Sequence, residues 1–171
     1  MHPLVQLAKD AVELYIREKR TLPVNIDTLP DDLKQHAGVF VCLKVRGMLR
    51  GCIGTFQPAE PTIAQETVRN AISAATCDPR FSCIRPEELG SIEYTVDVLT
   101  PPEPVDDMRG LYPRRYGVIV QSGNRRGLLL PDLEGVDTAE RQVGIAMQKA
   151  GIPQGTPVKL SRFEVRRYGK E

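Results

Sequence analysis

Two pairs of strand-like segments, each joined by a short turn, constrain the fold of this chain most strongly. Residues 38–45 are rich in β-branched side chains and run through Arg46-Gly47 into a second strand at residues 48–56. Residues 117–121 and 127–130 form a second hairpin of the same kind. Directly linked strands of this type pair antiparallel, because parallel neighbours need a long crossover.

The segments between the strands follow a helical period. Apolar residues recur every three or four positions over residues 3 to about 19 and 63 to about 76, which predicts two amphipathic helices. A third helix is predicted to open at Asp137, with Glu140 in its first turn, and to end at Ala150. Residues 92–99 alternate as a strand with one apolar face, and residues 158–165 predict a closing strand. Without a regular βαβ rhythm, the pattern predicts an α+β fold with a mostly antiparallel sheet flanked by helices.

Length and charge limit the classes of function. A chain of 171 residues fits one domain, and its proline-rich segment 100–117 is the predicted crossing into a smaller lobe. No apolar run approaches the roughly 20 residues that span a bilayer, and the first residues lack a signal-peptide pattern, which predicts a cytoplasmic protein without a membrane segment. The net charge of +1 does not indicate a nucleic-acid-binding protein.

The cysteines give no indication of a metal site. Cys42, Cys52, Cys77 and Cys83 contain no closely spaced pair, and both histidines lie far from them in sequence. We therefore expect no bound metal and no cofactor. A reducing compartment also argues against disulfides.

The segment 49–54, Leu-Arg-Gly-Cys-Ile-Gly, is the main functional candidate. A two-residue turn would pair Leu43 with Arg50 and would turn Cys42 to the face opposite Cys52, so that no bridge forms. Arg50 would then lie beside Cys52 and lower the pKa of its thiol. Gly51 and Gly54 are costly within a strand, which indicates a bulge or the close approach of a ligand or another backbone. The alternative is a structural cysteine within a crowded sheet.

The turn Asp78-Pro79-Arg80-Phe81 is a second candidate with two interpretations. In one, it only ends a helix: Asp78 accepts hydrogen bonds from backbone amides and Phe81 fills the core. In the other, Asp78 and Arg80 line a ligand site, where Arg80 binds a carboxylate or phosphate.

The segment Leu-Arg-Gly-Cys-Ile-Gly-Thr-Phe at 49–56 resembles the signature of the AMMECR domain family. The resemblance continues in order through nearly the whole chain, including Asp78-Pro79-Arg80-Phe81, Tyr116-Gly117-Val118-Ile119-Val120 and Lys149-Ala150-Gly151. It is closest to the branch called component A of the AmmeMemoRadiSam system. The name places this branch beside a Memo-like protein, similar to non-haem-iron dioxygenases, and a radical SAM protein.

The resemblance implies one AMMECR-type domain over residues 1–171 with two lobes. A larger lobe would hold both termini, a smaller lobe would hold its own short sheet, and the signature would lie near the cleft between them. Many relatives have a histidine where this chain has Tyr116. Without that histidine Cys52 lacks an evident general base, although a tyrosine can still donate a hydrogen bond.

Three functions follow from these observations. The first is a ligand-binding or accessory component that acts with the Memo-like and radical SAM proteins; its ligand would be an anionic small molecule, held by Arg50, Gly51, Gly54, Asp78, Arg80 and Tyr116. The second is a thiol-dependent enzyme that uses Cys52 activated by Arg50. The third is RNA binding through the arginines between residues 109 and 126 and a basic C-terminal cluster, although aromatic residues for base stacking are scarce there. The sequence supplies no reaction, and it leaves open whether the protein is an enzyme.

Overall fold

The computed structural model describes residues 1–169, which divide into two compact units. The larger unit contains Met1–Val98 and the segment that begins at Arg166, and the smaller unit contains Leu99–Val165. Antiparallel sheets with flanking helices confirm the α+β class. The helices and strands, in chain order, are α1 (Pro3–Glu18), β1 (Val39–Val45), β2 (Met48–Thr55), α2 (Ile63–Thr76), β3 (Ile92–Leu99), β4 (Glu103–Val105), β5 (Gly117–Ser122), β6 (Arg125–Leu129), α3 (Ala139–Ala150), β7 (Lys159–Phe163) and β8 (Val165–Gly169).

The sheet of the larger unit has the strand order β2-β1-β3-β8, and β1 pairs antiparallel with both β2 and β3. Val39, Val41 and Leu43 alternate along β1 and are completely buried in the cluster to which α1 and α2 contribute. Phe40 and Cys42 lie on the other face of the same strand and are only half-buried. The two helices therefore cover one face of this sheet.

The smaller unit has its own sheet, with the strand order β4-β7-β5-β6 and helix α3 packed against β5 and β6. Val118, Val120 and Leu129 from the sheet meet Val143 and Ala146 from the helix in a separate apolar core. Strand β4 was not expected within the proline-rich segment. Its place at an edge of the sheet explains why the strand tolerates a proline.

The helix boundaries follow the sequence closely, with one correction. Helix α2 has the predicted ends, and α1 stops one residue early. The prediction that Asp137 opens α3 is wrong, because the hydroxyl of Thr138 caps the helix and accepts a hydrogen bond from the Arg141 amide at 3.2 Å. Asp137 instead pairs with Arg114 at 2.9 Å.

The prediction of a single closing strand is also wrong, because β7 and β8 belong to different sheets. They separate at Glu164, whose amide donates to the Thr100 hydroxyl at 2.8 Å and whose carbonyl accepts from the Thr100 amide at 2.9 Å. The end of the chain is thereby shared between the two units. Over residues 1–169, no helix is both long and apolar enough to cross a membrane.

Candidate functional site

The signature segment lies on β2, at an edge of the larger sheet, and a bulge in the hairpin sets its register. The predicted turn is present, with positive φ at both Arg46 and Gly47. Beyond the turn, Lys44 pairs with Leu49 but Leu43 pairs with Gly51, so Arg50 is the extra residue of a β-bulge. The predicted pairing of Leu43 with Arg50 is therefore wrong.

The bulge also brings together the two cysteines that the sequence had separated. Cys42 lies directly opposite Cys52, with a Cα–Cα distance of 4.1 Å, and the two sulfurs form a disulfide. The prediction that these residues cannot be bridged is wrong, because a one-residue shift moves every following side chain to the other face. Cys52 has no free thiol in this state, so a nucleophilic role for it would first require reduction.

Arg50 binds a neighbouring segment. Its Nε and Nη2 atoms donate to the Glu88 carboxylate at 2.8 and 3.1 Å, a bidentate pair. Its Nη1 donates to the carbonyl of Ser82 at 2.7 Å, and Nη2 also reaches the carbonyl of Cys83 at 3.2 Å. Only 17% of the Arg50 side chain is exposed, and Arg50 lowers the pKa of Glu88. The bulged arginine therefore anchors residues 82–88 to β2, and the predicted activation of Cys52 by Arg50 loses its structural basis.

The two glycines of the signature are explained by close packing. A Cβ at Gly51 would collide with the carbonyl oxygen of Ala74 in α2, so the helix backbone rests directly on this strand. A Cβ at Gly54 would enter the ring of Phe40, its cross-strand partner. The expected close approach of another backbone is confirmed at Gly51. A ligand-binding role for either glycine remains a prediction.

Asp78 joins the turn after α2 to the edge of the sheet. One carboxylate oxygen accepts from the backbone amide of Cys52 at 2.9 Å, and the other accepts from the backbone amide of Arg80 at 3.0 Å. The Arg80 guanidinium completes the contact through Nε and Nη2, at 3.0 and 2.8 Å. Asp78 thus occupies part of the place that a further strand would take beside Cys52.

The Asp78–Arg80 pair is asymmetric in its exposure to solvent. The Asp78 side chain is 2% exposed and that of Arg80 is 56% exposed. The hydrogen bonds from Arg80 hold the pKa of Asp78 far below its ordinary value, although burial acts in the opposite direction. Among the described residues, Nη1 of Arg80 has no hydrogen-bond partner. A fixed carboxylate therefore holds a guanidinium that still presents donors to solvent.

The structural interpretation of this turn is supported in part, and the ligand-site interpretation remains a prediction. Asp78 accepts from two backbone amides, as the structural one requires. Phe81, however, is only half-buried, and Ile84 is the neighbour that enters the core. The structure therefore brings Arg50, Cys52, Asp78 and Arg80 together around one stretch of β2.

Tyr116 belongs to the smaller unit, where the residue is 8% exposed. The guanidinium carbons of Arg162 and Arg115 lie 4.3 and 4.9 Å from the ring centroid. This environment suits a structural cation–π cluster. Its participation in a ligand site remains a prediction.

Glu66 is a buried carboxylate that the sequence analysis did not single out. It is completely buried in α2, and its oxygens accept from the Thr55 hydroxyl at 2.6 Å and from the amides of Ala59 and Glu60 at 2.9 and 2.7 Å. Asn70, one turn further along the helix, adds a donor at 3.4 Å. The sequence gives little signal for its burial, because Arg69 and Asn70 lie three and four residues further along the same helical face. The residue fixes the end of β2 to the loop that follows it.

Two exposed thiols also lie near the signature. The Cys77 sulfur lies 3.3 Å from the Thr76 hydroxyl, and the Cys83 sulfur donates to the Thr76 carbonyl at 3.3 Å. Within residues 1–169, no three His, Cys, Asp or Glu side chains group as a metal site.

Comparisons with known proteins agree with this architecture. The model of the AMMECR1 family matches residues 5–171, and the chain therefore belongs to this family. A Thermotoga maritima protein is 51% identical over 170 residues, which cover 98% of this chain and 97% of that protein. A Clostridium acetobutylicum protein is 44% identical over 97% of this chain, but the match covers only 36% of that longer protein.

A solved structure supports the fold directly. The crystal structure of the uncharacterized protein PH0010 from Pyrococcus horikoshii is similar to this chain with a TM-score of 0.89 and 33% sequence identity. The match covers 98% of this chain and 90% of that one. These relatives define a family and a fold, and their names assign no reaction.

Proposed function

We propose that this protein is a ligand-binding accessory component that uses Arg80 to hold an anionic group. The observation that carries the proposal is the half-exposed guanidinium of Arg80, fixed by a carboxylate that is itself bonded to the Cys52 amide. A cation held in one orientation loses little side-chain entropy when it binds a carboxylate or phosphate. The Nη1 donors are the contact offered to such a group.

The structure favours binding over thiol chemistry at this site. The Cys52 sulfur is bonded to Cys42, and the guanidinium of Arg50 is bound to Glu88 and to two carbonyls. A thiol-dependent activity would first require reduction of the disulfide, a step that a reducing cytoplasm supplies. It would also lack the arginine that was expected to activate the thiol.

The partners in this proposal are a Memo-like protein and a radical SAM protein, as the family resemblance implies. One relative is consistent with a role beside other protein modules. In the Clostridium acetobutylicum relative, the matched region makes up 36% of the chain, so a longer additional part shares that polypeptide. A cytoplasmic location is part of the same proposal.

The anion site is tested by calorimetric titration with succinate and with inorganic phosphate. We expect binding by the unchanged protein, and an affinity at least tenfold weaker in Arg80→Gln, which corresponds to roughly 1.4 kcal/mol. Arg109→Gln is the matched control, because Arg109 forms the same pairing with an aspartate two residues before it. Equal affinities in the Arg80 and Arg109 variants would contradict the assignment.

The partner proposal needs a separate measurement. The Memo-like and radical SAM proteins of the same organism are mixed with this chain, and complexes are followed by sedimentation velocity. We expect a complex with at least one of them that Arg80→Gln weakens and Arg109→Gln leaves intact. Absence of any complex, together with unchanged activity of both partners, would reject the accessory role.

A further inference from the structure

The Cys42–Cys52 disulfide lies on the face of the larger sheet that α1 and α2 do not cover. The helices cover the face that carries Val39, Val41 and Leu43, whereas both bridged cysteines lie on the opposite face and are half-buried. A disulfide that thiols can reach is more labile than a buried structural one. In the cytoplasm proposed above, a disulfide is usually transient or redox-sensing. The place of the bridge therefore favours reversible opening over a purely structural role.

The bridge joins two strands that pair without it. On either side of it, Val41 pairs with Ile53 and Leu43 pairs with Gly51, and the register continues to both ends of the hairpin. Because the strands have this independent pairing, reduction leaves the hairpin in place and keeps the two thiols opposite each other for reoxidation. Opening and closing of the bridge are therefore compatible with the folded protein.

Cys52 is also the residue to which the proposed anion site is attached. Its amide donates to Asp78 at 2.9 Å, and its carbonyl lies 3.5 Å from Nη2 of Arg80. Strand β1 is held between β2 and β3, whereas Cys52 lies on the outermost strand. Two unbonded sulfurs need more room than a bonded pair, so opening of the bridge would displace Cys52 more readily than Cys42. Hydrogen bonds weaken steeply outside their ordinary geometry, and such a displacement would loosen the hold on Arg80.

We propose that Cys42 and Cys52 form a reversible dithiol–disulfide switch, which a low-molecular-weight thiol opens and which sets the affinity of Arg80 for its anion. The inference rests on the proposed function, because it assigns a regulation to the same site. The bridged state holds Arg80 in its binding orientation, and the reduced state releases it.

The chemistry is a thiol–disulfide exchange with glutathione as the reductant. One glutathione thiolate attacks a sulfur of the bridge, the sulfur–sulfur bond breaks, and the other cysteine leaves as a thiolate. A second glutathione thiolate attacks the glutathione sulfur of the mixed disulfide, and oxidised glutathione is released. Two electrons pass to the protein, and the two protons that the glutathione thiols lost are balanced by those that Cys42 and Cys52 take up.

The first measurement counts free thiols in the folded protein after equilibration in glutathione buffers of increasing reducing strength and removal of the glutathione. The chain has four cysteines, of which two are free, so the count should rise from two to four as the bridge opens. The double variant Cys77→Ser, Cys83→Ser lacks the two exposed free thiols, and its count should rise from zero to two in the same buffers. A bridge that stays closed in millimolar reduced glutathione would be structural and would overturn the proposal.

The second measurement is calorimetric titration of both redox states with inorganic phosphate. We expect binding about threefold weaker after reduction, the size of a loosened hydrogen bond. The variant Cys77→Ser, Cys83→Ser should keep this difference, and Cys42→Ser, Cys52→Ser should bind with the weaker affinity under both conditions. Equal affinity in the two states of the unchanged protein would overturn the proposal.

Backbone amide shifts of Asp78 and Arg80 separate failure of the switch from failure of the anion site. Measured by nuclear magnetic resonance without phosphate, both should change on reduction of the unchanged protein. Phosphate binding in neither state would reject the proposed function, whereas shifted amides would still show that the bridge is coupled to the turn. Phosphate binding that is equal in both states, with unmoved amides, would reject the switch alone.

Discussion

The two units of the molecule pack a helix onto a sheet in the same way. In the larger unit, Gly51 lets α2 rest on β2 through the carbonyl of Ala74; in the smaller unit, Gly127 lets α3 rest on β6 through the carbonyl of Ala146. Each sheet also has a phenylalanine ring that covers a cross-strand glycine, Phe40 over Gly54 and Phe163 over Gly117. In both units a glycine, which has no side chain, thus lets a helix backbone or a phenylalanine ring contact a strand directly.

The two units differ in what they bury besides apolar side chains. In the part of the chain that the structure describes, the buried polar residues of the larger unit are Thr62, Glu66, Thr67, Asn70, Asp78 and Asp97. The smaller unit buries Gln142, which donates to the Tyr116 carbonyl at 2.8 Å. Two polar groups of the larger unit, Glu66 and Asp78, hold loops against β2. The glycines therefore serve packing in both units, whereas the polar anchors mark the strand that carries the signature.

The largest effect on stability is expected at Glu66, a buried carboxylate without a counterpart among the described residues of the smaller unit. Glu66→Ala removes the acceptor of four donors and leaves a cavity, so we expect a loss of about 4 kcal/mol in the free energy of unfolding. Urea titration followed by circular dichroism measures it. Glu140→Ala, at an exposed glutamate near the start of α3, should change stability by less than about 0.5 kcal/mol. A small effect of Glu66→Ala would show that water replaces the carboxylate without cost.

The shared packing is tested by Gly51→Ala and Gly127→Ala. Both introduce a Cβ against a helix carbonyl, so each should lower the free energy of unfolding by about 3 kcal/mol. Gly90→Ala is the control, since a Cβ there meets open space. Urea titration of the three variants gives the comparison, and a clear difference between the two destabilised variants would break the analogy between the units.

The disulfide is a feature of the larger unit alone among the described residues. It links residues ten positions apart, and the loop-closure term predicts that reduction lowers the free energy of unfolding by about 2.5 kcal/mol. Urea titration with and without a phosphine reductant measures the change. The double variant Cys42→Ser, Cys52→Ser should not respond to the reductant; a response would assign the effect to other groups.

The smallest effect on stability is expected at the Asp78–Arg80 pair, which is compared with the Asp107–Arg109 pair of the same spacing. Asp78→Asn should lower the free energy of unfolding by about 1.5 kcal/mol at pH 7, a modest figure because Arg80 is half exposed. The pKa of Asp78 is depressed in the folded state, so its contribution is complete above the unfolded carboxyl pKa and disappears as the pH falls below it. The difference between variant and parent should therefore shrink from about pH 5 towards pH 2. Asp107→Asn, at the exposed pair, should leave stability unchanged; equal effects at both sites would reject the anchoring role of Asp78.

The sequence predicted the local elements well and the pairing of distant ones poorly. The period of α2 and the alternation of β3 give both elements their observed ends, because each depends on near neighbours. The bulge at Arg50 has no local signal apart from the adjacent Gly51. Its cause lies elsewhere in the chain, in Glu88 and the carbonyls of residues 82 and 83, and the missed disulfide follows from the same shift. Glu66 was missed for another reason, since its helical neighbours Arg69 and Asn70 are polar and give no indication that this face is buried.

The coverage of β2 bears on the tendency of this protein to self-associate. An outermost strand offers unsatisfied amides and carbonyls with which a neighbouring molecule can pair. At Cys52 the amide is already taken by Asp78, and the carbonyl lies 3.5 Å from the Arg80 guanidinium. Loss of that turn would therefore expose a template for strand-to-strand polymerisation, and self-association of the Asp78 variant at high concentration would be its earliest sign.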